Sequence, residues 1–175
     1  MKIRVAAGKI DKLKTEGAVI LLFEDEKPDA IAGRVDKALG GMIARLVKRG
    51  DFIPKPGGVH LLYPEGRIAA ERLVLAGLGK REDFNPNRLR QAAGKAAQHL
   101  RAAGATDIMI SFDGTGLDAE EAAQALIEGS LLGLYRFLKY KTNEENNGKK
   151  EIRALTIVTE KSNGHEGSAS GRENR

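Results

Sequence analysis

The chain has 175 residues, enough for one domain with a tail and for a full apolar core that needs no disulfide or metal to hold it together. It contains no cysteine, which excludes disulfides, thiolate zinc sites and cysteine nucleophiles and fits a reducing cytosol. The net charge is +5, yet acids and bases interleave, as in Lys80-Arg81-Glu82-Asp83, and Trp is absent, so the basic excess reads as a solvated surface rather than a nucleic-acid platform.

Met1-Lys2-Ile3-Arg4 is followed by no apolar stretch of signal-peptide length, and no apolar run approaches the roughly 18 residues of a membrane helix. The expected location is therefore cytoplasmic, with no membrane partner. β-Branched apolar runs at residues 3–6 and 18–23 predict two strands. Lys27-Pro28-Asp29 predicts a turn. Val35, Leu39, Met42, Ile43, Leu46 and Val47 keep helical spacing and predict a helix over about 34–49, closed by Gly50. The internal pair Gly40-Gly41 either admits a close neighbour or breaks that helix.

Pro54, Pro56, Gly57 and Gly58 form a loop, and residues 59–63 and 73–78 predict a third and fourth strand around the turn Pro64-Glu65-Gly66. Asn85-Pro86 is a strong helix start, because Asn accepts from first-turn amides and Pro leaves none unpaired there. Leu89, Ala92, Ala93, Ala96, Ala97, Leu100 and Ala103 make the face of that helix, their small size predicts close packing on a sheet, and Gly104 ends it. A fifth strand spans 108–112, and Asp118 with Glu121 forms a capping box that opens a helix running past Leu132. A polar stretch at 142–150 leads to a last strand at 152–159, and residues 161–175 read as a disordered tail. Strand-helix alternation predicts an α/β fold, a three-layer α/β/α sandwich on a mostly parallel mixed sheet.

The residues on their own display no recognisable active site. Gly77-Leu78-Gly79-Lys80 follows a strand but has Glu82 where a dinucleotide fingerprint needs its third Gly, and Arg81 breaks the Walker pattern. Asp113-Gly114-Thr115-Gly116 resembles the Asp-Thr-Gly of aspartic proteases with an extra Gly, and reads as a loop. His60, His99 and His165 lie at no metal-ligand spacing, and Ser130 sits within a helix rather than on a nucleophile elbow. The expectation is no catalytic, cofactor-binding or metal-binding residue.

A resemblance gives these elements an identity. Glu128-Gly129-Ser130-Leu131-Leu132-Gly133-Leu134-Tyr135-Arg136-Phe137, continuing to Lys139-Tyr140-Lys141, resembles the Glu-Gly-x-x-Leu-Gly-x-Tyr-x-Phe-x-x-Tyr-Lys signature of leucyl (cytosol) aminopeptidases. Residues 73–80 resemble that family's Val-Gly-Leu-Gly-Lys strand and turn, and residues 88–98 its Leu-Arg-x-Ala-Ala-Gly-x-Ala helix. Gly50-Asp51-Phe52 with Pro56-Gly57 matches a family loop from which Ile53 and Pro54 depart; Leu138 stands where an acidic residue is common.

The resemblance covers about residues 1–160 and implies the N-terminal domain only, with a macrodomain-like fold. It places hydrolysis in a separate C-terminal domain, absent from this chain, where Lys, Asp and Glu side chains hold two divalent metals such as Zn or Mn. No cofactor is then expected in residues 1–175. The partners it implies are that catalytic domain and, at full length, copies forming a hexamer. DNA binding, which occurs in some bacterial members, is permitted by the +5 charge but not indicated by it. The alternative is a free-standing ligand- or DNA-binding module whose cleft would be lined by Gly77, Gly79 and Gly114 to Gly116.

Overall fold

The computed structural model describes residues 1–135 and 150–161. The polar stretch at 142–149, Leu138, His165 and the tail expected after residue 161 lie outside the described residues.

Six strands form one sheet: β1 (Lys2–Ala7), β2 (Gly17–Phe23), β3 (Val59–Leu62), β4 (Leu73–Gly79), β5 (Asp107–Ser111) and β6 (Ala154–Thr159). Their order is β1-β6-β5-β2-β4-β3, parallel except for β3, which runs antiparallel to β4. Among the described residues four helices flank the sheet: α1 (Ala30–Ala38), α2 (Met42–Arg49), α3 (Pro86–Ala102) and α4 (Ala119–Leu134).

The period-2 alternation of the strands divides their side chains between two cores. Val19 of β2, Val74 and Ala76 of β4, Ile110 of β5 and Leu155 of β6 meet α3 and α4. Ala18, Ile20 and Leu22 of β2, with Leu73 and Leu75 of β4, meet Ile31, Val35, Leu39 and Ile43 of α1 and α2. One core on each face makes the sandwich three-layered, as the alternation predicts. Central β4 is buried along its whole length and reads as an unbroken apolar run for that reason. β1 pairs only with β6, and this edge leaves Ile3 and Val5 40% and 72% exposed.

The helix predicted over 34–49 is instead two helices. Asp29 opens α1 earlier than expected, its Oδ1 accepting from the Ala32 amide at 2.8 Å. Gly40 and Gly41 then adopt φ of +67° and +79°, a left-handed pair that ends α1 and turns the chain. The freed Asp36 carboxylate accepts from the Ile43 amide at 2.7 Å and so stabilises the first turn of α2. Helical spacing survives the break because both helices lay their apolar stripes on the same core.

At α3 the expected start holds: the Asn85 side chain accepts from the Arg88 amide at 3.1 Å, with Pro86 next. Asp118 opens α4 by accepting from the Glu121 amide at 3.0 Å. The last strand begins at Ala154, two residues later than the sequence predicts.

Candidate functional site

In parallel α/β sheets, ligands sit outside the carboxyl ends of the strands, where the chain order reverses. Here that edge is occupied by side chains. Arg81, in the short 3-10 turn after β4, donates from Nε and Nη2 to the two Glu26 carboxylate oxygens at 2.7 and 2.8 Å. Its Nη1 and Nη2 donate to the carbonyls of Thr115 and Gly114 at 2.9 and 3.0 Å. The guanidinium also stacks 3.7 Å from the centre of the Phe23 ring, whose position Phe84 fixes edge-on at 5.1 Å. The Arg81 hydrogen bonds hold the Glu26 carboxyl below its ordinary pKa, and the same bonds raise that of Arg81.

Between the ends of β2 and β5 only about 10 Å³ is left, beside Asp29, Ser111 and Asp113. This is about the space of one water. Each carboxylate there already has a structural task. Asp29 caps α1, while Asp113 accepts from Thr159 Oγ1 at 3.0 Å and from the Glu160 amide at 2.7 Å. The glycines expected to line an open cleft serve close packing instead. A Cβ on Gly77 would lie 2.7 Å from the Pro54 carbonyl oxygen, and one on Gly79 would lie 2.8 Å from the Pro56 ring. Gly114 faces the Asp29 carboxylate and Gly116 the Arg81 guanidinium. The Asp-Gly-Thr-Gly segment is a structural turn, as the sequence suggests.

His60 and His99, the histidines among the described residues, are not brought together. His60 lies on β3 with its ring 6.0 Å from that of Phe52, and His99 Nδ1 contacts the Lys95 carbonyl oxygen on the solvent side of α3. Among the described residues no three His, Cys, Asp or Glu side chains converge in a way that could hold a metal ion. The two divalent metals that the resemblance implies therefore find no matching donor set here. Ser130 is fully buried on α4, and its hydroxyl has no hydrogen-bond partner among the described residues.

A groove of about 410 Å³ runs along α3 and α4, a feature the sequence reading missed. Its floor is Gly94, Gly129 and Gly133, its rim includes Arg90, Lys95 and Leu132. The glycines exist there because the two helices touch through their backbones: a Cβ on Gly133 would lie 2.6 Å from the Gly94 Cα. Arg90 pairs with Glu128 across the seam at 2.6 Å, and Gln124 donates to the other Glu128 oxygen at 2.7 Å. The Gln124 and Arg90 bonds hold the Glu128 carboxyl below its ordinary pKa.

Helix α4 ends in carbonyls that its own backbone cannot satisfy. Side chains of α3 take them up: Gln98 donates to the Gly133 carbonyl and Arg101 to that of Leu134, both at 2.8 Å. Beside this clamp Leu131, Leu132 and Tyr135 stand 48%, 73% and 72% exposed at the end of α4, and Leu132 also lines the groove. Gly129, Gly133 and Tyr135 are signature positions read from the sequence, but their contacts depend on how α3 crosses α4.

No described helix is long and apolar enough to cross a membrane. A profile of the cytosol aminopeptidase family, N-terminal domain, matches residues 19–144. A probable cytosol aminopeptidase of Nitrosococcus oceani is 35% identical over 161 residues, covering 90% of this chain and 32% of its own length. A tomato leucine aminopeptidase mutant superposes with a TM-score of 0.75 at 20% identity, over 93% of this chain and 33% of its own. The macrodomain of Mycobacterium tuberculosis DarG superposes with a TM-score of 0.65 at 13% identity, over 89% of this chain and 96% of its own, which shows a shared fold. The chain spans about a third of the length of the curated relatives it matches.

Proposed function

The chain belongs to the cytosol aminopeptidase family, whose N-terminal domain it matches, and on that premise we propose that it is the non-hydrolytic accessory domain of a metal-dependent aminopeptidase. Residues 1–160 make up the domain, and its task is to support the assembly of the enzyme in the cytoplasm. Hydrolysis and the two divalent metals belong to the catalytic domain that the longer relatives carry, and no residue of this chain takes part in the reaction. The relatives' printed name supports a cytosolic location.

The observation that carries the assembly role is the apolar cluster of Leu131, Leu132 and Tyr135 beside the α3–α4 groove. Large exposed apolar side chains grouped at one helix end favour a partner surface, since burying them removes them from water. Docking of the catalytic domain there, and through it a hexamer, follows from this reading. A macrodomain-like ligand site is the weaker reading, because Arg81 and its partners fill the glycine-lined part of the edge, beside Gly114 and Thr115.

Two measurements test the proposal. The pure 175-residue chain, incubated with a leucine amide substrate and manganese, is expected to give no turnover; turnover abolished by a chelator overturns the non-hydrolytic reading. In the whole enzyme, the double substitution Leu132→Arg/Tyr135→Glu is expected to lower the sedimentation coefficient. An unchanged assembly refutes the docking role of this face.

A further inference from the structure

A second concave site lies outside the carboxyl end of β2, on the opposite side of the molecule's sheet from the α3–α4 groove. It holds about 260 Å³ between Leu22 and Phe23 of β2 and Ala44 and Val47 of α2, with Pro28 and Pro54 also in its lining. Lys27, Lys48 and Glu26 are its charged lining residues. We propose that this pocket binds a small monocarboxylate with an apolar body, the body against Phe23 and Val47 and the carboxylate between the ammonium groups of Lys27 and Lys48. The proposal goes beyond the accessory role and does not depend on it.

Three features support a ligand of this class. The walls are built in advance. The Phe23 ring is fixed by Phe84 at its edge and by the Arg81 guanidinium on its face, and the two prolines have little backbone freedom to lose. A pocket that does not have to form on binding keeps more of the energy gained from apolar contact.

The charge of the lining is also decided. Glu26 is the acidic member of the lining, and both of its oxygens accept from Arg81. Its charge is thereby offset by Arg81, which makes it a poorer partner for a ligand cation. Lys27 and Lys48 form no ion pair among the described residues, and their flexible stems bring two ammonium groups to one anionic head. The donor set favours a carboxylate over a phosphate. No arginine is among the lining residues, and a guanidinium fork is the side-chain group best matched to the oxygens of a phosphate.

The third feature is position. The pocket adjoins the strand end at which α/β sheets receive ligands, and it is the part of that edge that Arg81 does not fill. Arg81 thus has two effects, closing the space toward β5 and stiffening the wall of the space beside α2.

The experiment is a titration of the ¹⁵N-labelled 175-residue chain with octanoate, octylammonium and 1-octanol, three ligands of one chain length and different head charge. Octanoate is expected to give saturable shifts at Leu22, Phe23, Lys27 and Val47, with the other two ligands at least about fivefold weaker, the scale of one or two solvent-exposed charge pairs. Lys27→Glu/Lys48→Glu is expected to weaken octanoate by a similar factor while lowering the melting temperature by at most a few degrees, the cost of a carboxylate in the last turn of α2. Val47→Trp, which fills the pocket, is expected to abolish the shifts. The proposal is overturned if octylammonium or octanol binds as well as octanoate. It is equally overturned if charge reversal leaves the affinity intact, if the shifts map to the α3–α4 groove, or if no saturation is reached.

Discussion

The contact between α3 and α4 allows a quantitative test through Gly129→Ala. A Cβ there would lie 2.7 Å from the Arg90 Cα and closer still to the Arg90 carbonyl oxygen, all of it backbone that cannot rotate away. Carbon atoms pack at about 3.5–4.0 Å, so the helices must part by about 1 Å along a seam that also carries the Gly94–Gly133 contact. Overpacking of this kind costs about 1–3 kcal/mol, toward the upper end when backbone must move. Alanine returns about 1 kcal/mol through its better helix propensity. The net loss is about 2 kcal/mol, or about 4–8 °C in melting temperature for a chain of this size.

Gly33→Ala supplies the control of opposite sign. Gly33 is an exposed position in α1, and its nearest neighbour to an added Cβ is the Pro28 carbonyl oxygen at 4.0 Å. It is expected to stabilise by up to about 1 kcal/mol. Thermal melts followed by circular dichroism at one protein concentration measure both variants against the parent. If Gly129→Ala melts at or above the parent, the helices do not meet through their backbones and the account of the signature glycines fails.

Two other perturbations are readable from the structure. Arg81→Ala removes the Phe23 stack and the bonds to the Gly114 and Thr115 carbonyls; with partial solvent screening the expected loss is about 1–2 kcal/mol in urea unfolding. An unchanged midpoint would mean that the guanidinium is a spectator. The Glu16 carboxyl is held below its ordinary value near 4.5, chiefly by the Thr106 amide, which donates to it at 2.5 Å. A pKa lowered by folding adds stability that is present above the unfolded value and is lost as pH falls through the folded one. Melting temperature should therefore drop as pH falls below about 4.5, and Glu16→Gln should flatten that drop; a parallel pH profile in the variant would contradict the assignment.

Much of the chain could be read locally. Asn85-Pro86 and Asp118 mark the starts of α3 and α4 because a cap is a contact within three residues. The unbroken apolar run of β4 announces a strand buried on both faces. The Gly40-Gly41 break was visible as an alternative but not decided, because helical spacing continues across it while the left-handed turn depends on Asp36 reaching α2. The Lys80-Arg81-Glu82-Asp83 run illustrates the opposite case. Its charges look uniformly solvated in one dimension, yet Arg81 alone turns inward to Glu26 and Phe23, distant in sequence and adjacent in space.

The sequence by itself determined most of the elements, the α/β class and, through the segment from Glu128 to Lys141, the family. Each of these rests on short-range chemistry or on an ordered string of residues. The tertiary structure decided which glycines bring helices into backbone contact, that Arg81 fills the part of the carboxyl edge toward β5, and that Leu132 lines the α3–α4 groove while Leu131 and Tyr135 stand exposed near it. Such features depend on the angle and distance at which separate elements pack. Side-chain volumes summed over both faces of the sheet set those quantities, and no single stretch of sequence encodes them.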